Sequence, residues 1–166
     1  MSQLPDYVVG VYGNDDEVPR EAEELFAAQL ADSRRPLPAD RPDREQWRFA
    51  LACAVGAKGH VLGGAHLDIG PVNGAGPIAE RKLAYLERVL VRPAYRRQGV
   101  ATAVLKRAIR VATEAGCEYI RCSNDWDNPA ETALLRKCGF ALVDLNDEEE
   151  RERGYLAVRP LRNLEA

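Results

Sequence analysis

A chain of 166 residues with a net charge of −3, 46% hydrophobic and 30% charged residues, has the size and composition of a globular domain with a real core. The slightly acidic balance excludes nucleic-acid binding through a broad basic surface, and no apolar run reaches the length of a membrane span. The N-terminus has no signal-peptide layout, so a cytoplasmic location is expected. Cys53, Cys117, Cys122 and Cys138 form no C-x-x-C pair and have no histidine at ligand spacing, so reduced buried thiols and no metal are expected.

Tyr7 to Tyr12 (YVVGVY) predicts a short first strand. Asp15 or Asp16 can cap a helix running to about Ala31, with Pro19 tolerated in its first turn. Val18, Ala22, Leu25, Phe26 and Leu30 give that helix one apolar face. Residues 32–46 carry prolines and arginines without periodicity and read as a surface loop, either functional or a solvated linker. Trp47, Phe49, Leu51, Cys53 and Val55 alternate with Arg48, Ala50, Ala52 and Ala54 as a strand. Ala57-Lys58-Gly59 then turns the chain, and His60 to Ile69 returns as the hairpin partner. Gly63-Gly64 within it marks a bulge or the close approach of another group. A glycine- and proline-rich loop over residues 70–80 leads into the next strand.

On that strand, Leu83, Tyr85, Glu87, Val89 and Val91 are expected on one face and Ala84, Leu86, Arg88 and Leu90 on the other. Pro93 stops it. From Gly99 the period becomes helical, with Val100, Val104, Ala108 and Val111 flanked by Ala101, Leu105, Ile109 and Ala112, and Gly116 ends the helix. Glu118 to Asn124 reads as a further strand. Asn128-Pro129-Ala130-Glu131 starts a helix, with asparagine as N-cap and proline first, that stops at Gly139. Phe140 to Leu145 and Tyr155 to Leu161 form a closing hairpin around an acidic loop at 146–154. No repeat or second-domain boundary is visible, so residues 1–166 are expected to form one domain.

The hinge Arg96-Arg97-Gln98-Gly99-Val100-Ala101 joins two arginines to small residues at a helix start. Unpaired N–H groups and the positive end of the helix dipole suit an anion there, and Gly99 and Ala101 let a ligand approach the backbone. The chemistry is that of a pyrophosphate cradle built from main-chain donors with guanidinium charge nearby.

R-x-x-G-x-A at Arg96, Gly99 and Ala101, after V-x-P at Val91 to Pro93 and between a strand and an amphipathic helix, resembles the acyl-CoA signature of the GNAT superfamily of N-acyltransferases. N-P-A-E-T-A-L-L-R-K-C-G-F, from Asn128 to Phe140, is similar to the last helix of that family and the entry to its final hairpin. The resemblance is dense from about Leu83 to Phe140 and looser before. It implies an α/β (α+β) fold with a mixed, splayed central sheet of about six to seven strands flanked by helices, and acyl-CoA in a cleft beside the central strand. It further implies acetyl-CoA as co-substrate, with main-chain groups of Leu90 and Val91 along the pantetheine arm. Arg96, Arg97, Gln98, Gly99, Val100 and Ala101, with Thr102, would hold the pyrophosphate, and in the family the loop matching residues 32–46 helps wall the acceptor site. Asn128 would touch the CoA arm, although local chemistry makes it an N-cap first.

Glu87 stands where many members of the family carry a glutamate and is the candidate general base, since a carboxylate among apolar neighbours has a raised pKa. Its structural alternative is an ion pair with Arg88 or Arg48. Relatives place a tyrosine in the last helix as the acid for the leaving thiolate; here Leu135 occupies that position, leaving Tyr119, Tyr85 or water. His66 is an alternative base, more ordinary as a satisfied strand histidine, and Cys122 lacks an activating partner. The acidic loop at 146–154 is either a solvated tip or an overhang that attracts a cationic acceptor. The activity implied is acetyl transfer to a primary amine by direct attack, the acceptor a small-molecule amine. A protein N-terminus or lysine, presented as a peptide amine, is the alternative acceptor. A non-catalytic acyl-CoA-binding sensor is the alternative class. No nucleic acid and no membrane are expected as partners, and a homodimer is compatible with the chain.

Overall fold

Alternating side chains, and one tight turn between the second and third strands, set the first half of the sheet. β1 (Val8–Gly13), β2 (Arg48–Val55), β3 (Val61–Pro71) and β4 (Lys82–Val91) pair antiparallel in chain order. The computed structural model describes residues 3–35, 47–71, 81–124, 126–145 and 154–161, so the sequence readings for loops 36–46, 72–80 and 146–153 lie outside the described residues. After β4 the chain crosses over through α3 (Val100–Glu114) to β5 (Cys117–Asn124), which lies parallel to β4. α4 (Pro129–Lys137) leads to β6 (Ala141–Asp144), and β7 (Tyr155–Pro160) inserts between β5 and β6. The result is a mixed α/β fold around one seven-stranded sheet, in the order β1-β2-β3-β4-β5-β7-β6.

Each sheet face is closed by its own helices. α3 buries Val100, Val104, Leu105, Ala108, Ile109 and Ala112 against Ala52, Leu62, Ala65, Leu67, Ala84 and Leu86. The opposite face packs Phe49, Leu51, Cys53 and Val61 against Ala22, Phe26 and Leu30. The single helix expected there is two, α1 (Arg20–Leu25) and α2 (Ala27–Arg34), because Phe26 leaves helical geometry at φ −111° and ψ 24° while its ring stays fully buried. Neither Asp15 nor Asp16 caps it. Pro19 holds the cap position without a side-chain bond, and Asp16 Oδ2 instead accepts from Gly13 N–H at 2.7 Å to close the turn after β1. α2 also runs three residues past the expected end at Ala31, and Arg34 forks onto Glu23 at 2.6 and 2.9 Å, tying α2 back to α1.

Two departures from regular pairing shape the middle of the sheet. Opposite β4, His66 pairs with Arg88 but Leu67 pairs with Leu86, so Glu87 is an extra residue in the strand. The alternation expected along β4 breaks there: Ala84 and Leu86 face α3, and after the bulge so do Val89 and Val91, while Leu90 packs on the α1/α2 side. Glu87 therefore does not share a face with Val89 and Val91, and its carboxyl turns toward Asp68. The parallel ladder to β5 comprises Lys82↔Cys117, Ala84↔Ile120 and Tyr85↔Arg121, and beyond Tyr85 the two strands diverge.

Gly63 and Gly64 mark a close approach, as their sequence suggested. A Cβ on Gly63 would stand 2.6 Å from Leu90 O and 3.0 Å from Val91 Cα, and one on Gly64 2.9 Å from Ala52 O. Gly63→Ala must push the end of β4 aside, and a loss of about 1–3 kcal/mol is expected in urea unfolding. An unfolding midpoint equal to that of the wild type would show that β4 yields without cost.

Candidate active site

The divergence of β4 from β5 opens a cleft floored by β4 and walled by the start of α3 and by α4. Two adjoining cavities of about 640 and 600 Å³ fill it, sharing Val89, Val91, Arg96, Asn128, Ala130 and Glu131 among their walls. At one end stands the N-terminus of α3. Gly99 precedes it at φ 85°, a left-handed conformation that favours glycine, and nothing lies within 4 Å of where its Cβ would be. No side chain caps this helix and no acidic residue sits in its first turn. The first-turn N–H groups and the positive dipole end thus face open space beside Arg96 and Arg97. From Leu86 to Val91 no strand among the described residues pairs with the β5-facing edge of β4, which leaves room for an extended ligand beside it, although Arg96 Nε already holds Val91 O.

A half-buried polar knot fixes the entry to this hinge. Glu21, on α1, accepts from Arg92 Nη2 at 2.9 Å, Val61 N–H at 3.1 Å and His60 Nδ1 at 3.0 Å. His60 Nε2 meets the Tyr95 hydroxyl at 2.8 Å, and Arg92 Nε donates to Val61 O at 2.6 Å. Burial alone would raise the Glu21 pKa; the hydrogen bonds from His60 and Val61 and the charge of Arg92 outweigh it and hold the carboxyl below its usual range. Tyr95 itself lines the cleft, so α1 is coupled to the anion-binding hinge through a continuous chain of hydrogen bonds.

The second chemical feature is a pair of carboxyl groups. Glu87 lines the inner cavity, and its pKa is pushed up to about 7 by burial, by the like charge of Asp68 with a hydrogen bond to it, and by Asp32. Behind Asp68 lies Ser33, whose Oγ donates to Asp68 Oδ1 at 2.6 Å and stands 3.2 Å from His66 Nε2. Because the serine proton goes to Asp68, His66 must donate from Nε2, leaving Nδ1 as a bare acceptor without a partner among the described residues. His66 is fully buried and stacked on Phe49, and desolvation lowers its pKa against the pull of Asp68.

The cleft gathers most of the residues named from sequence. Val91, Arg96, Arg97, Gly99, Ala101, Thr102 and Asn128 line the outer cavity, and Leu90 and Glu87 the inner one. Gln98 turns away to donate to Ala94 O at 3.2 Å, and Val100 is buried in the core, which leaves both only main-chain groups to offer. Arg96 Nε is spent on Val91 O at 3.0 Å. Asn128 is an N-cap, accepting from Glu131 N–H at 3.1 Å, and a cleft wall as well. Tyr119 lies in the part of β5 paired to β7, opposite Pro160, and lines neither cavity. Tyr85 stacks on Trp47 under Arg121. Leu135 is buried at the cleft wall and brings no hydroxyl. His66 lies under α2 rather than in the cleft, and burial raises the Cys122 thiol to about 12, far from a nucleophile.

Four site residues were not singled out from sequence. Ser33 and Asp68 read as loop and strand polar residues with no local signal, because only the packing of α2 on β3 joins them. Glu131 had a local explanation as the third residue of a capped helix. Its carboxylate instead receives Asn124 Nδ2 at 2.8 and 3.1 Å and the Tyr155 hydroxyl at 2.9 Å. Tyr155 is fully buried, and burial, then its bond to Glu131, raises its pKa, so it stays a proton donor that locks α4 to β7.

Residues 20–140 match the model of the acetyltransferase (GNAT) family, and the chain belongs to that family. It is 35% identical over 94 residues to an aminoglycoside N(6')-acetyltransferase type 1 of Klebsiella aerogenes, covering 57% of this chain and 60% of the relative. The chain thus spans about three fifths of the length of that curated relative. Among solved structures the fold resembles Arabidopsis thaliana NAA60 in complex with acetyl-CoA, with a TM-score of 0.60 at 16% identity over 94% of this chain and 100% of that one. It also resembles the ribosomal-protein-S18-alanine N-acetyltransferase of Escherichia coli, with a TM-score of 0.55 at 17% identity over 93% and 96%.

A folded-state pKa near 7 in place of 4.5 means that Glu87 binds a proton more tightly when folded. Its ionisation therefore opposes folding as pH rises through that window, and the basic carboxylate predominates only above about 7. Asp68→Asn removes the like charge and supplies an amide donor, so the Glu87 titration should move down toward the ordinary carboxylate range. Carboxyl-carbon NMR across the pH range reads it; a midpoint unmoved by the substitution would remove Asp68 as the cause.

Proposed function

We propose that this protein transfers an acetyl group from acetyl-CoA to the primary amine of a small cationic molecule, by direct attack and with Glu87 as the base. One observation carries the reading: a helix N-terminus without a cap, a free β4 edge and a proton-accepting carboxyl all open into one cleft. Main-chain N–H groups from Arg97 to Ala101, with Thr102, bind the diphosphate, and the arginines of the hinge add charge. The pantetheine arm lies along Leu90 and Val91 as an added strand, passing Asn128. That places the thioester near the bulge, where the displaced main chain offers a donor to the carbonyl oxygen.

The amine enters as an ammonium and loses a proton to Glu87, directly or through one water. Its lone pair then attacks the thioester carbon, the C–N bond forms, the C–S bond breaks as the thiolate leaves, and the second proton shed by the nitrogen passes through water to that thiolate or to solvent. A CoA thiolate is a tolerable leaving group, so the absence of a hydroxyl at Leu135 is compatible with turnover. Asp32, Asp68 and Glu87 give the acceptor side negative potential, which favours a cationic amine over a neutral one. The sequence similarity to an aminoglycoside acetyltransferase supports an amino sugar or polyamine as the first class to test. The rival reading, an acyl-CoA-binding sensor without turnover, draws on the same missing hydroxyl.

Thiol release from acetyl-CoA across aminoglycosides, polyamines, amino acids and peptides separates these readings. Turnover with a small polycationic amine is expected. Glu87→Gln should lower kcat by about 10²–10⁴-fold and abolish the rise of activity through pH 7 while acetyl-CoA still binds. Tight acetyl-CoA binding with silence across every amine would leave the sensor; an intact pH profile in the Gln variant would remove Glu87 as the base.

A further inference from the structure

Thr102, Lys106 and Arg110 recur every four residues along α3 and so share one of its faces. Thr102 lines the donor cleft. Lys106 and Arg110 line another cavity of about 610 Å³ farther along the helix, together with Lys137, Arg159 and Cys138. Lys137 lines both, so the two spaces adjoin across α4.

Among the described residues no carboxylate lines this cavity, in a chain with more acidic than basic residues. Arg110 is partly neutralised by Glu114 at 3.0 Å on the outer surface, but Lys106 and Lys137 form no ion pair among the described residues. Arg159 is held in place: its Nε donates to Cys138 O at 2.8 Å. That contact covers a carbonyl at the C-terminus of α4 that would otherwise repel an anion. A Cβ on Gly139 would come within 3.0 Å of the same Nε, so the glycine that ends α4 also leaves room for the guanidinium. The charges of Lys106, Lys137 and Arg159 all reach the buried Cys138 thiol, so three cations converge on one point.

We propose that this cavity is a phosphate-monoester subsite at the far end of the donor cleft, and that it takes the ribose 3′-phosphate of coenzyme A. The inference rests on the donor reading above. The span fits. Lys106 lies one helical turn, about 6 Å of axial rise, beyond Thr102, a distance comparable to the ribose that separates the diphosphate from the 3′-phosphate. A doubly charged monoester meeting two ammonium groups and a guanidinium makes charge-assisted hydrogen bonds that the diphosphate cradle does not supply.

Calorimetry of the full chain with coenzyme A and with 3′-dephospho-coenzyme A tests it. The wild type should bind the dephospho form about tenfold or more weakly, a gap that narrows as salt is raised. In Lys106→Met/Lys137→Met, both side chains exposed and outside the core, the ratio of the two dissociation constants should fall close to one. Equal affinities in the wild type overturn the subsite while leaving the donor cleft standing, and so does a ratio that survives in the double variant. Inorganic phosphate that stabilises the wild type but not the double variant, with coenzyme A and its dephospho form still bound alike, would make the cavity a separate anion site and overturn the assignment to the donor. Binding of neither nucleotide would instead sink the donor reading, and this occupant with it.

Discussion

The single extra residue in β4 governs the rest of the site. With Glu87 inserted opposite the His66–Leu67 step, the strand turns over once, and the side chains beyond it change faces. A bulge also adds local twist, and just before it, after Tyr85, β4 parts from its parallel neighbour β5. One irregularity thus does three things. It brings a carboxyl to Asp68, exposes a main-chain edge, and gives the cleft its opening. A regular strand would leave Val89 and Val91 on the face of Glu87, turned away from α3, because Ala84 and Leu86 before the bulge already face α3.

Binding energy in the outer cleft is designed into the main chain rather than into side chains. Arg96 is engaged with Val91 O, Gln98 with Ala94 O, and Val100 with the core, so what remains for a ligand is the ring of N–H groups at the start of α3. Such a cradle works only if the loop before it is rigid. The knot of Glu21, His60, Arg92 and Tyr95 braces that loop with hydrogen bonds and ties it to α1, on the other side of the sheet. α1, on one side of the sheet, and the hinge before α3 are therefore parts of one hydrogen-bonded unit.

The acceptor side follows a different logic, in which charge is concentrated instead of dispersed. Ser33 keeps Asp68 supplied with a donor, and that carboxylate in turn makes a second negative charge on Glu87 costly at neutral pH. His66 completes the chain from beneath, its burial keeping it neutral and its tautomer set by the serine. The proton affinity of Glu87 is thus set first by its own burial and then by the neighbouring Asp68. At the opposite end, the basic cavity beside Lys137 gives the same groove positive charge, so the cleft runs from cationic to anionic along its length.

Much of this was legible in the chain itself. Periodicity and punctuation determined the order of strands and helices. The spacing of Arg96, Gly99 and Ala101 between a strand and an amphipathic helix determined the open helix start after Gly99, because a helix start is a local object whose donors point outward whatever surrounds it. Gly63-Gly64 announced a close approach for a similar reason, since the lack of Cβ is a property of the residues alone. The break at Phe26 and the use of Asp16 in a turn were decided by burial of the Phe26 ring and by the position of Pro19, and helical period by itself does not register either. Tertiary structure alone decided which partners meet: Ser33 with Asp68 across 35 positions, Tyr155 with Glu131 across 24, and Glu87 with the carboxyl that raises its pKa. Pattern along a chain encodes which face a residue prefers, but a hydrogen bond or a shared proton depends on a separation of a few ångströms between distant segments, and only the packed sheet and its helices set that distance.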